Sequence, residues 1–252
     1  MPDNARIPDA APDLAALRAE IDALDDALHD LLMRRAGVVA RLAASRTKGS
    51  GPALRPGREA AILRRLLGRH QGALPRAALV RLWRELLAAT TAMQTPTTIA
   101  ACLPETGIEV LRSHFGLAAP LLRCADEPAA FAAIDSGRAA LLALPAGGRW
   151  WRTHVPKRLF VTALLPFFGA AEAAVFLLSP APPDASGDDR SLVRLPAAKL
   201  PLLAAHGLTP EILAEDGDLA LVALPGMIAA GDARLAALGG TVLGCYAAPI
   251  VA

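Results

Sequence analysis

The chain is poor in aromatic side chains, with six Phe, three Trp and one Tyr among 252 residues. Proteins that hold single-stranded nucleic acid stack its bases on aromatic rings, so this shortage disfavours such a partner. Cysteine is scarcer still. Cys102, Cys124 and Cys245 are odd in number and far apart, which gives neither metal-ligand spacing nor a disulfide framework. Reduced thiols in the cytoplasm are the expectation. The opening residues MPDNARIPDAAPD lack the apolar core of a signal peptide. A membrane span is not expected either. The most apolar stretch, Leu159–Leu178, is interrupted by Pro166, Gly169 and Glu172 and reads as two buried strands around a turn.

Apolar residues are abundant, at 54%, mostly Ala and Leu, and supply ample material for a core. The length fits one large domain or two small ones. Charge is unevenly spread: residues 1–95 carry 15 basic against 10 acidic side chains, and residues 96–252 carry 11 against 14. The two parts are therefore expected to do different jobs, with the basic part facing nucleic acid or a small anion.

Residues 1–12 read as a disordered leader. Asp13 stands where a helix N-cap belongs. Leu14, Leu17, Ile21, Leu24, Leu28, Leu31, Val38 and Leu42 then follow in steps of mostly three and four, the period of an amphipathic helix. It runs to about Arg46, roughly 50 Å at 1.5 Å per residue. A three-helix unit of this size cannot cover so long a rod, so a partner chain is expected. Lys48-Gly-Ser-Gly-Pro52 breaks the helix. Pro56 starts a second helix, about Gly57–His70, with Ile62, Leu63, Leu66 and Leu67 as its stripe. A third helix ends near Gln94, with Leu79, Leu82, Leu86 and Met93 inward, and Thr95-Pro-Thr-Thr marks a boundary. Beyond it, apolar runs at 99–103, 121–124, 139–144, 160–165 and 174–178 alternate with helices at 107–115 and 128–136, an α/β rhythm. After a Pro-rich loop at 180–189, a tail follows with strands at 191–195, 219–224 and 241–246 and helices at 198–206 and 232–238. The expected domains are 13–95, 97–182 and 186–252.

Within the helical part, Arg18, Arg35, Arg46, Arg58, Glu59 and Gln94 sit at helical spacings in an apolar scaffold. A buried charge without a partner is costly, so the set suggests a ligand that completes it, a small dianion. Arg35 and Arg46, 11 residues apart, fall within roughly 20° of one face. Arg18 lies about 100° from Arg35 on the same rod and reaches an equivalent site on a partner chain more readily than this one. Charges on helices usually face water, and spacing alone does not lift these arginines above that. Glu59 in a first helical turn is favoured by the helix dipole, and it can equally accept a hydroxyl from a ligand. Thr90 and Gln94 continue the row of Leu82 and Leu86. Thr90 can bond its own helix backbone instead.

Four ordered stretches carry a resemblance: Leu17-Arg18-x-x-Ile21-Asp22-x-x-Asp25, Leu31-Leu32-x-Arg34-Arg35, Pro56-x-Arg58-Glu59-x-x-Ile62-Leu63, and Arg84-Glu85 followed by Thr90 and Gln94. Together they resemble the all-helical (AroQ-type) chorismate mutases over residues 13–95. The resemblance implies a three-helix, all-α domain that forms an intertwined homodimer, followed here by an α/β region. It implies a site for chorismate, without cofactor or metal. Arg35 would clamp one substrate carboxylate, and Arg18 would clamp the other from across the interface. Glu59 would take the ring hydroxyl, Gln94 the ether oxygen, Thr90 would stand near a carboxylate, and Arg58 would brace the site. Arg46 stands where the family usually has a lysine that donates to the ether oxygen. Arginine keeps the charge but differs in reach and shape, and Lys48 is a possible substitute. An acidic residue common three positions before the Arg-Glu pair is replaced by Arg55.

The second half more weakly resembles a shortened prephenate dehydratase with an ACT-like tail. The matching pieces are His114-Phe115-Gly116, Ala130-Phe131-x-x-Ile134-x-Ser136-Gly137-x-Ala139, Gly187-Asp188-Asp189-Arg190-Ser191-Leu192 and Val242-Leu243-Gly244-x-Tyr246. Ala174-Val175-Phe176 stands where that enzyme's Thr-Arg-Phe is expected, and Ala146-Gly147-Gly148 replaces its Glu-Asn. Loss of dehydratase activity is the expectation. Competing readings are a bifunctional mutase–dehydratase, an isochorismate pyruvate lyase, and a non-catalytic helical dimer that binds an amino acid or nucleic acid. The last is disfavoured for nucleic acid by the few aromatics and the lack of a long basic face.

Overall fold

A computed structural model describes residues 13–45, 53–95, 97–116, 119–153, 155–169 and 172–251. The chain forms two compact units, residues 1–49 and residues 50–252. The division falls within the stretch read as one helical domain.

The first unit is one helix, α1, Leu14–Ser45. The Asp13 carboxylate accepts from the Ala15 amide at 3.0 Å and so caps its start. At 32 residues it is about 48 Å long at 1.5 Å per residue. None of its residues is buried.

The second unit is built on a nine-stranded mixed sheet. Helices α2 (Pro56–Arg69), α3 (Arg76–Ala92) and α4 (Glu105–Phe115) precede or flank its first strands. Strands β1 (Ile99–Ala101), β2 (Leu121–Arg123) and β3 (Leu141–Pro145) are parallel, with α5 (Glu127–Asp135) as a crossover. Strands β4 (Phe160–Leu165) and β5 (Val175–Ser179) form the antiparallel pair expected from the interrupted apolar stretch. The tail adds β6 (Asp189–Pro196), β7 (Glu211–Asp216), β8 (Leu219–Pro225), α6 (Ala233–Ala237) and β9 (Thr241–Ala247). The spatial order is β2-β1-β3-β5-β4-β9-β6-β8-β7.

Strand alternation sorts the core onto two faces. Ile99, Leu141 and Ala143 pack with Leu63 and Leu67 of α2, Val80 of α3 and Leu111 of α4. Ala100, Leu142 and Leu144 point the other way, to Ala130 and Ile134 of α5 and to Trp150, Trp151 and Phe176. The tail and the α/β body are paired at Val161 with Gly244 and again at Phe168 with Ile250. A Cβ on Gly244 would collide with the Val161 backbone, so the join requires glycine.

Three expectations need correction. On α3, Leu79 is buried, but Leu82 and Met93 are 59% and 60% exposed. The buried face of α3 holds Leu79, Val80, Arg84, Leu87, Ala88 and Thr90. The expected helix at 198–206 is a pair of tight 3-10 turns, Ala197–Leu202 and Ala204–His206, because Pro201 lacks the amide that an α-helix needs there. Strand β7 was not expected from sequence. It lies at the sheet edge, and four of its six residues are exposed, so no apolar alternation marks it.

Candidate active site

Arg18 is exposed and Arg35 half-buried on α1. The apolar residues at 14, 17, 21, 24, 28 and 31 repeat at alternating steps of three and four, and all six are more than two-fifths exposed. Continuing that rhythm gives 35, 38 and 42. Arg35 therefore occupies a place in the same seam as Val38 and Leu42. Arg46 and Lys48 lie outside the described residues.

The second unit carries the other four side chains. Pro56 occupies the first turn of α2, where its missing amide costs nothing. The next two amides, of Gly57 and Arg58, both donate to the Asp184 carboxylate at 3.0 Å. Arg55, at the position where the chorismate mutases usually have an acid, lies 3.4 Å from the same carboxylate. The acid at this helix start thus comes from a loop some 126 residues away. Arg64, one and a half turns further on, donates to the carbonyls of Ser186, Asp188 and Ala248, and ties α2 to the start and end of the tail. Arg58 is exposed.

Glu59 is turned inward and is only 5% exposed. Its carboxylate accepts from Arg84 Nη1 at 2.8 Å, and the same guanidinium donates from Nε and Nη2 to the His114 carbonyl. The Arg84 guanidinium also lies over the Phe167 ring, 5.5 Å from its centre. The His114 ring is buried between Phe115 and Phe167, edge-on to both. Burial, and then the Arg84 charge, hold its pKa well below 6.5, so it is neutral at pH 7. Its Nε2 is 3.9 Å from Glu59, too far for a hydrogen bond, and with a neutral ring this contact is no ion pair. The cavity beside Glu59 has about 20 Å³, room for one water.

The Thr90 hydroxyl donates to the Leu86 carbonyl at 2.7 Å, the helix-backbone bond given above as its alternative. Gln94 follows the end of α3. Its Nε2 donates to the Thr90 carbonyl at 3.1 Å, while its Oε1 is buried without a hydrogen-bond partner. An orphaned buried oxygen of this kind calls for a donor. Glu59, Thr90 and Gln94 are thus near or on α3 in one unit. Arg84, His114 and Asp184 are the participants that sequence reasoning did not assign. Arg84 was visible in the Arg84-Glu85 motif, but its pairing with Glu59 crosses from one helix to another and leaves no local pattern.

These features define a long amphipathic helix and a helical pair with inward polar groups, set before an α/β sheet. Residues 17–95 match the family model of chorismate mutase type II. The resemblance drawn from the four ordered stretches is borne out by that match. A bifunctional chorismate mutase/prephenate dehydratase of Neisseria gonorrhoeae is 28% identical over 232 residues, which cover 84% of this chain and 64% of that protein. The protein of the same description from Pseudomonas aeruginosa is 35% identical over 111 residues, 41% of this chain and 30% of that one. This chain thus spans less than two thirds of the length of these relatives. Among solved structures, a prephenate dehydratase of Arthrobacter aurescens in complex with L-Phe aligns with 60% of this chain and 90% of its own, at 15% identity and a TM-score of 0.45. Among the described residues, no helix is long and apolar enough to cross a membrane.

Proposed function

We propose that this protein is a chorismate mutase, which rearranges chorismate to prephenate in a site shared by two copies of the chain. The observation that carries this reading is the coincidence of the matched stretch, residues 17–95, with Arg18, Arg35, Arg58, Glu59, Thr90 and Gln94 in order. The exposed seam of α1 supports the homodimer, since a helix with an uncovered apolar stripe is stabilised by a partner.

The reaction is a concerted pericyclic shift and requires no nucleophile. The protein must fold the enolpyruvyl arm over the ring, which two arginine–carboxylate clamps from Arg35 and the partner copy's equivalent of Arg18 accomplish. It must also stabilise the charge that grows on the breaking ether oxygen. Arg46 or Lys48 and the Gln94 amide are the donors. The Gln94 Nε2 uses one N–H on the Thr90 carbonyl, so its second N–H is the donor toward the ether oxygen. Arg84 donates to Glu59 and fixes its carboxylate, ready to accept the ring hydroxyl. A millionfold rate gain requires about 8 kcal/mol, in reach of two clamps and two donors.

The dehydratase-like part is read as non-catalytic. Val175 and Phe176 lie in β5 with buried side chains that carry no hydroxyl or charge. No acidic group stands at 146–148.

The test is to incubate the protein with chorismate, follow loss of its ultraviolet absorbance, and assay phenylpyruvate with and without acid treatment. The expected result is chorismate loss, with phenylpyruvate only after acid. Absence of chorismate loss would sink the mutase reading, and phenylpyruvate without acid would sink the claim of an inactive dehydratase region. Arg35→Ala should lower kcat/KM by orders of magnitude while the dimer persists in sedimentation.

A further inference from the structure

Between α3, α4 and the turn that follows β4 lies a cleft of about 470 Å³, within the size range of small-molecule sites. Apart from Arg84, which also lines the cavity beside Glu59 and fixes that carboxylate, its lining includes none of the residues proposed for the mutase site, and none of residues 146–148 or 174–176. One wall is apolar, made of Val80, Val110, Phe167 and Phe168. Arg84 and His114, both 5% exposed, are its buried polar groups. Arg81, Glu109 and Glu172 stand at its exposed rim.

Arg84 is the informative member. A guanidinium has five N–H donors. Here Nε, Nη1 and Nη2 make one bond each to protein, which leaves one N–H on each terminal nitrogen without a protein acceptor. Those two donors belong to a buried side chain that lines a cleft of ligand size. The terminal nitrogens of a guanidinium suit the two oxygens of a carboxylate. The charge around the cleft selects further. Arg84 is already paired with Glu59, and Arg81 faces two rim carboxylates, so a carboxylate here is held by the spare N–H donors of Arg84 and a second anionic group would find no donors of that kind. The apolar wall suits a flat or aliphatic body.

We propose that this cleft is a binding site for a small monocarboxylate with an apolar body, its carboxylate held by the spare donors of Arg84 and its body lying against Val110, Phe167 and Phe168. The site is distinct from that proposed for chorismate, which is a dianion.

The probe is 3-phenylpropionate, titrated by calorimetry into the 252-residue chain, with 3-phenylpropanamide as its uncharged counterpart. Saturable one-to-one binding of the acid is expected, with the amide weaker by about tenfold or more, the loss of a charge-assisted bond. Val110→Trp, which fills the cleft from a half-buried position, should abolish binding with an unchanged melting temperature. Arg84→Lys retains a cation for Glu59 but removes the fork, and should weaken the acid alone. The proposal is overturned if the acid does not bind, if the amide binds equally well, or if the folded Val110→Trp variant binds as before. Calorimetry reads binding without turnover, so failure of the mutase reading would leave these outcomes interpretable.

Discussion

Glu59 meets a structural demand and is proposed to meet a chemical one. A carboxylate in the first turn of α2 benefits from the helix dipole, but burial at 5% exposure makes it depend on Arg84. Removing one member of a buried pair leaves the other charge uncompensated. Arg84→Ala should therefore destabilise the second unit by about 3–5 kcal/mol, read from urea midpoints. The double variant Arg84→Met/Glu59→Gln should recover most of that loss, because neither charge then remains. His114 sets a pH dependence. Its folded pKa is held below 6.5 while the unfolded chain titrates near 6.5. The unfolded state thus binds the proton first, and the stability from the neutral buried ring is complete above about pH 6.5 and is lost as pH falls toward the folded pKa, by at most about 1.4 kcal/mol per pH unit. Melting temperatures measured from pH 7 to pH 5 should fall less steeply for His114→Phe than for the parent chain.

At the scale of elements, α2 is the hinge of the account. Its start is held by Asp184 and its middle by Arg64. Asp184→Ala removes the acceptor of two first-turn amides and should lower stability by about 1 kcal/mol, typical of a lost N-cap. Gly57→Ala should cost more, since the added Cβ would land on the Asp184 backbone carbonyl; both are measured by thermal melting followed by circular dichroism. The helices themselves were legible in sequence, because Pro56, Pro75 and the leucine spacings act within a few residues. The cap was not, since the loop that supplies Asp184 is brought there by the fold. Strand β7 was missed for a related reason: an edge strand with polar faces needs no apolar alternation, only a neighbour such as β8 to pair with.

For the whole molecule, the exposed seam of α1 is the outstanding feature. Ten of its large apolar side chains are more than two-fifths exposed. Leu28→Glu places a charge in the middle of that seam. If the site is shared as proposed, it should convert dimers to monomers in sedimentation and abolish chorismate turnover together. Survival of turnover in the monomer would separate the site from the interface.

Sequence by itself determined the helix and strand inventory of most of the chain, the break between helical and α/β rhythms, and the polar set at Arg18, Arg35, Arg58, Glu59, Thr90 and Gln94. These depend on period, caps and turn residues, which act locally along the chain. Tertiary structure alone decided that Glu59 is buried against Arg84 and that Asp184 serves α2. It also decided that α2 and α3 share a core with the sheet. Each of these joins residues 25 or more positions apart or turns on which face a helix buries. Desolvation then decides which charges must pair, and no local pattern carries that information.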